Sequence, residues 1–174
     1  MALPRRSLAA LFLFAAASMA TARAQSNWIL YAPKGPGFRV ELPMEPKVNN
    51  ANIKTTYGPA KAAYFYFKGD NGLEGMMEVR DYSHGQIKNA RDYLDESRGF
   101  YERKGRGLRS ESRFSLGGNP AHKFVTDTAD GRVATIEEVM IDDRFISVIC
   151  FTPKGQERSP DVERIFKSFA VVRS

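Results

Sequence analysis

The chain reads as one α+β domain: an antiparallel sheet of about six to seven strands covered by two helices. Three observations predict it. Short segments of alternating apolar and polar residues recur with hairpin-length turns between them. Two amphipathic segments with cap residues stand in the middle and at the end of the chain, and the strands run consecutively between them, which favours an antiparallel meander over βαβ units.

The first 24 residues form a separate element. Arg5 and Arg6 make a positive start, Leu8 to Ala17 carry no charge, and Ala22-Arg23-Ala24 offers the small residues of a cleavage site. This reads as an export signal cleaved after Ala24, because a bilayer span needs roughly 20 apolar residues. Ser7 and Leu8 fit a twin-arginine signal only loosely, so general secretion is the expected route. A periplasmic or secreted protein of residues 25–174 follows, with no membrane-spanning segment after cleavage. Removing Arg5, Arg6 and Arg23 lowers the net charge from +6 to +3. That charge favours solubility and does not argue for nucleic acid. Cys150 is the single cysteine, so no internal disulfide is expected, and within Phe145 to Phe151 it reads as a small buried hydrophobe.

In chain order, Trp28 to Tyr31 is a short apolar start. Phe38, Val40 and Leu42 alternate with Arg39 and Glu41 as a strand with one dry face, ended by Pro43 and Pro46. Ile53 to Tyr57 and Lys61 to Phe67 read as extended, and Gly69-Asp70-Asn71-Gly72 as a turn leading into a strand from Glu74 to Tyr82. Asn89 can cap a helix in which Ala90, Leu94 and Tyr101 share one face, widened by Phe100, with Arg91, Asp95, Arg98 and Glu102 outward; Gly105 ends it. Leu108 to Leu116 alternates as a strand and Gly117-Gly118-Asn119-Pro120 turns the chain into Ala121 to Thr128. Asp130-Gly131 predicts a type I′ hairpin, and the change of phase at Glu137-Glu138 predicts a bulge in Arg132 to Ile141. Arg144 to Phe151 is apolar on both faces and should be central. Ser159, Pro160, Asp161 and Glu163 open a last helix whose Val162, Ile165, Phe166 and Phe169 form one stripe, and Ala170 to Val172 can add a strand. That helix is expected over the central meander, with the earlier helix on the opposite face.

Several segments together resemble the PsbP-like fold, shared by an extrinsic photosystem protein and a nuclear-import factor, and above all its small secreted bacterial members. They are Phe38-Arg39-Val40-Glu41-Leu42-Pro43, the run from Leu116 to Phe124, Phe145-Ile146-Ser147-Val148 and the ending Ile165-Phe166-Lys167-Ser168-Phe169. The resemblance covers Phe38 onward and implies the fold. Members with known roles act as accessory or interaction domains, which implies a similar role here, although a fold does not carry function by itself.

Chemistry-bearing residues are few. His84, with Asp81 and Glu78 close in sequence, could support a proton transfer or a metal site, as a small hydrolase or a metal-dependent enzyme, if the three converge. His122, at a strand start, reads as structural, and Asp70-Asn71-Gly72 reads as a turn and not as a calcium loop. Neither a phosphate-binding glycine loop nor a paired metal-ligand motif is present, so no cofactor is expected. Arg98, Arg103, Lys104, Arg106, Arg109 and Arg113 are the most basic stretch and the candidate partner-binding surface, suited to an anionic surface or an acidic patch on an envelope protein. Tyr64 and Tyr66 share one strand face, Phe65 and Phe67 the other; if the Phe face is core, the Tyr face is a contact surface. The leading expectation is an exported, non-enzymatic accessory module, and the alternative is an enzyme built on His84.

Overall fold

The computed structural model describes residues 28–35, 37–105 and 107–172; the export signal expected at residues 1–24 lies outside them. The elements run β1 (Ile29–Tyr31), β2 (Phe38–Leu42), β3 (Lys47–Thr55), β4 (Gly58–Lys68), β5 (Glu74–Asp81), α1 (Ala90–Lys104), β6 (Leu108–Leu116), β7 (Asn119–Asp127), β8 (Val133–Ile141), β9 (Arg144–Thr152), α2 (Pro160–Ser168) and β10 (Ala170–Val171). Seven strands form one antiparallel sheet in the order β3-β4-β5-β9-β8-β7-β6, and β1, β2 and β10 form a second sheet of three. The second sheet was not foreseen. Alternation identifies a strand's dry face but not its neighbour, and β10 reaches β2 from the far end of the chain, pairing Ala170 with Arg39 and Val171 with Phe38.

β9 is the central strand of the seven, as its apolar faces require. On one side, Ile146, Val148 and Cys150 join Phe65, Phe67 and Met77 in a cluster closed by Phe38, Val40 and Leu42 of β2 and by Val162, Ile165, Phe166 and Phe169. The stripe of α2 is therefore buried as its spacing demands, on the meander face that carries Val139, Ile146 and Val148, with β2 beside it. Helix and small sheet form one layer. Burial pushes the Cys150 thiol up to about 12, which leaves it protonated and inert at neutral pH.

On the other side, α1 packs on β7 and β8. Asn89 Oδ1 accepts from the backbone N–H of Arg91 at 3.0 Å and of Asp92 at 3.4 Å, so the cap forms as expected. Gly105 ends the helix for a reason other than a left-handed turn: its φ is −91°, and a Cβ there would sit 2.5 Å from the Asp127 carbonyl. The inward face differs from the reading of the sequence. Tyr93 and Leu94 are buried, Phe100 is half exposed, and Arg98, expected outward, is mostly covered.

Two turn expectations are corrected. Of Asp130 and Gly131 only Gly131 has a positive φ, and Gly131 N–H donates to Thr128 O, so the connection is a wider loop closed by one left-handed glycine and not a type I′ turn. β8 pairs without interruption from Val133 to Ile141, so there is no bulge at Glu137-Glu138. Both carboxylates are buried because the strand is covered on both faces: Glu137 lies 3.3 Å from Lys123, and Glu138 points beneath α1.

Candidate functional site

The sheet register aligns polar residues that are far apart in sequence. Asn49 pairs with Tyr64, Tyr64 with Glu78, Glu78 with Ser147, Ser147 with Glu138, Glu138 with His122 and His122 with Arg113. One polar row thus crosses all seven strands on the α1 side. A charged row inside a sheet is costly unless each member is paired.

Most members are. Glu78 holds Arg80 through two bonds of 2.6 and 2.8 Å, and Arg80 donates to Tyr93 Oη at 3.1 Å, which lies 2.8 Å from Tyr82 Oη. Burial alone would lower the Arg80 guanidinium, but the Glu78 carboxylate outweighs it and holds the group above its ordinary range. Burial raises the Tyr101 phenol, with the negative charges of Glu138 and Glu78 adding to it. Glu138 is fully buried, accepts from Ser97 Oγ at 2.9 Å and meets His122 Nε2 at 2.6 Å. Ser147 Oγ and His122 Nδ1 are buried without a partner.

His122 also lines a cleft of about 710 Å³ between the start of α1 and β6–β7, with Asp95, Arg91 and Arg113 on its walls. Arg113 bridges Asp95 at 2.9 Å and Glu111 at 3.1 Å. Sequence reasoning treated His122 as structural and passed over Asp95, Ser97 and Glu138. Glu137-Glu138 was the available signal: two consecutive carboxylates in a strand must face opposite sides of the sheet, so in a central strand neither can reach water.

The residues singled out from sequence fall elsewhere. Glu78, Asp81 and His84 are not brought together: Glu78 is bound to Arg80, Asp81 accepts from Arg144 Nε at 2.5 Å, and His84 is exposed with Nδ1 3.4 Å from Asp143. Asp143 instead anchors that loop by accepting from Gly85 N–H at 2.8 Å and Ile87 N–H at 3.2 Å. In the basic stretch, Arg98 pairs with Glu102, Arg113 with Asp95 and Glu111, and Arg109 with Asp127 and Glu157. Arg103 and Lys104 are exposed at the end of α1, and Arg106 lies outside the described residues. Tyr64 and Tyr66 stack with centroids 6.3 Å apart, and Tyr66 is about half exposed while Phe65 and Phe67 are core.

The two sheet edges differ. β6 carries Arg109, Glu111 and Arg113 and an irregular register after Leu108, both common protections against unwanted pairing. β3 pairs with β4 without a break from Lys47 to Thr55, and between Lys47 and Lys54 it has no charge and no proline. Among the described residues nothing pairs with its outer edge.

The architecture can now be compared with solved proteins. The solution structure of cyanobacterial PsbP (CyanoP) from Synechocystis sp. PCC 6803 superposes with a TM-score of 0.51, covering 86% of this chain and 95% of that one. The chain has a PsbP-like fold. Sequence identity to that protein is 9%, so the likeness extends to the fold alone. No family model matches the chain, and no curated protein matches it. Among the described residues no helix of this PsbP-like domain is long and apolar enough to cross a membrane.

Proposed function

We propose that the chain is an exported, non-enzymatic accessory module that holds an extended segment of an envelope protein along β3. The observation that carries this is the unprotected edge: a regular strand without a charge from Val48 to Ile53, beside the charged and irregular β6. Such an edge offers unpaired N–H and C=O groups, and an added strand gains main-chain hydrogen bonds there. Tyr64 and Tyr66, one strand inward, provide an aromatic surface for the partner's side chains. Arg103 and Lys104 are the part of the basic stretch that stays open to an acidic segment of the same partner. Export rests on the leader at residues 1–24, and the accessory roles implied by the PsbP resemblance agree with it.

A photocrosslinking residue at Asn50, with one at Ser112 on β6 as the control, tests this in cells that export the protein. The reading expects one discrete adduct from position 50 alone, abolished by Asn49→Lys combined with Asn52→Lys. Equal adducts from both edges, or an adduct that survives the double lysine variant, would refute it.

A further inference from the structure

The geometry points to a binding site for a divalent transition-metal ion of the Zn²⁺ type, formed by Asp95 of α1, Glu111 of β6 and His122 of β7. One ligand atom from each of these residues lies within 4.8 Å of the other two. A carboxylate cluster alone would not specify a site; the second observation is the histidine. His122 is 1% exposed and its Nε2 is engaged by Glu138, which leaves Nδ1 as the free ring nitrogen, without a partner and in a residue that lines the cleft.

That is the arrangement a metal-binding histidine needs. With Nε2 placed to donate to the Glu138 carboxylate oxygen, Nδ1 is the ring nitrogen left to offer a lone pair. Ser97 Oγ, at 2.9 Å, holds the other Glu138 oxygen, so the orienting carboxylate is itself oriented. Imidazole with two carboxylates suits zinc and its neighbours better than magnesium or calcium, which prefer oxygen alone. Three protein ligands leave a coordination position open to water.

Charge also fits. Asp95, Glu102, Glu111 and Glu138 face Arg98 and Arg113, with Arg91 on the cleft wall, so negative charge is in surplus. Arg113 bridges Asp95 and Glu111 and so takes the place between them that a cation would fill. Its side chain is 60% exposed, so it can swing to solvent without disturbing the core as the ion enters. Arg113 is therefore a competitor for the site and not a ligand.

Isothermal titration of the purified protein with Zn²⁺, after chelator treatment, tests this independently of any partner on β3. One ion should bind per chain. Asp95→Asn and Glu111→Gln, both at partly open positions, should each weaken binding by more than about tenfold, and Glu138→Gln by about 10- to 100-fold through loss of the histidine's orientation. Arg113→Ala should tighten binding, and this readout separates a displaced competitor from a structural bridge. His84→Ala should leave affinity unchanged. Thermal melts without metal identify any variant that has lost its fold, and the Arg113→Ala result stands apart from such loss. No binding at one ion per chain, binding indifferent to Asp95→Asn and Glu111→Gln, or weaker binding by Arg113→Ala would each overturn the site.

Discussion

Gly75→Ala would place a methyl group inside a filled space. Gly75 of β5 pairs directly with Phe67 of β4, and a Cβ on Gly75 would sit 2.0 Å from Phe67 Cζ and 2.2 Å from Cε2. Phe67 is 2% exposed within the larger core cluster, so displacing its ring disturbs that packing. Two effects oppose each other. Replacing glycine in an extended segment stabilises by about 0.4 to 1 kcal/mol through the unfolded chain. Forcing an extra carbon into a packed core costs about 1 to 3 kcal/mol, occasionally more. An overlap of this depth belongs at the upper end, so a net loss of about 2 kcal/mol is expected from urea denaturation. Phe67→Leu removes the ring edge that the methyl would strike, so Gly75→Ala in that background should cost less than about 1 kcal/mol, with the difference appearing as a coupling energy. A single-variant loss below about 0.5 kcal/mol, or additive losses in the double variant, would refute the claim that the ring lies on the glycine.

Other outcomes follow from the same coordinates. Phe166→Ala should cost about 3 kcal/mol because the ring closes the α2 layer, with Lys123 Nζ 3.8 Å from its centroid; a loss below about 1 kcal/mol in urea would mean that α2 does not dock as described. Burial raises the Glu137 carboxyl despite Lys123, so the folded state holds this proton more tightly than the unfolded state and stability falls as pH rises through the raised value. Glu137→Gln should therefore stabilise at pH 7, with the gain vanishing below about pH 4.3, the unfolded carboxylate value; a gain independent of pH in urea melts would contradict it. Cys150 should resist iodoacetamide at pH 8 and react as one thiol in urea, and labelling of the native protein would show an opening of β9. Backbone donors hold Asp143 below the usual carboxylate range, so the loop's anchoring should persist at neutral pH and weaken as pH falls through that lowered value; protection from hydrogen exchange at Gly85 and Ile87, taken relative to the intrinsic rate at each pH, should fall in acid and be lost at all pH in Asp143→Ala.

What the sequence disclosed and what it hid divide along a physical line. Period and capping are local, and they located Asn89 at the start of α1, the buried stripe of α2 and the central place of β9. Register is not local. The row from Asn49 to Arg113 draws one residue from each of seven strands, and no strand read alone marks its member as belonging to a row. The same limit explains the reading of Glu137-Glu138 as a bulge. An interruption of the apolar pattern looks alike whether the backbone kinks or two buried carboxylates have partners on opposite faces. Arg98 was placed outward by helical period, although its Nη1 reaches Glu102 and its Nε is buried near Glu111. Nearest-neighbour charge in sequence likewise marked Arg109 and Arg113 as a surface, while folding supplies each with carboxylates from other strands and helices.

The pairing of β2 with β10 ties the beginning of the domain to its end. Glu41 N–H donates to Ser168 Oγ at 2.8 Å, Arg164 Nε donates to Glu41 at 2.5 Å, and Val172 N–H donates to Gly37 O at 2.8 Å. A chain emerging N-terminus first exposes Phe38, Val40 and Leu42 at once, yet their cover is the last segment to appear. Contacts so distant along the chain close late and slow the final step of folding. Until Phe169 is released, the larger core cannot be completed. The polypeptide thus carries a built-in delay between forming its first dry strand and covering it.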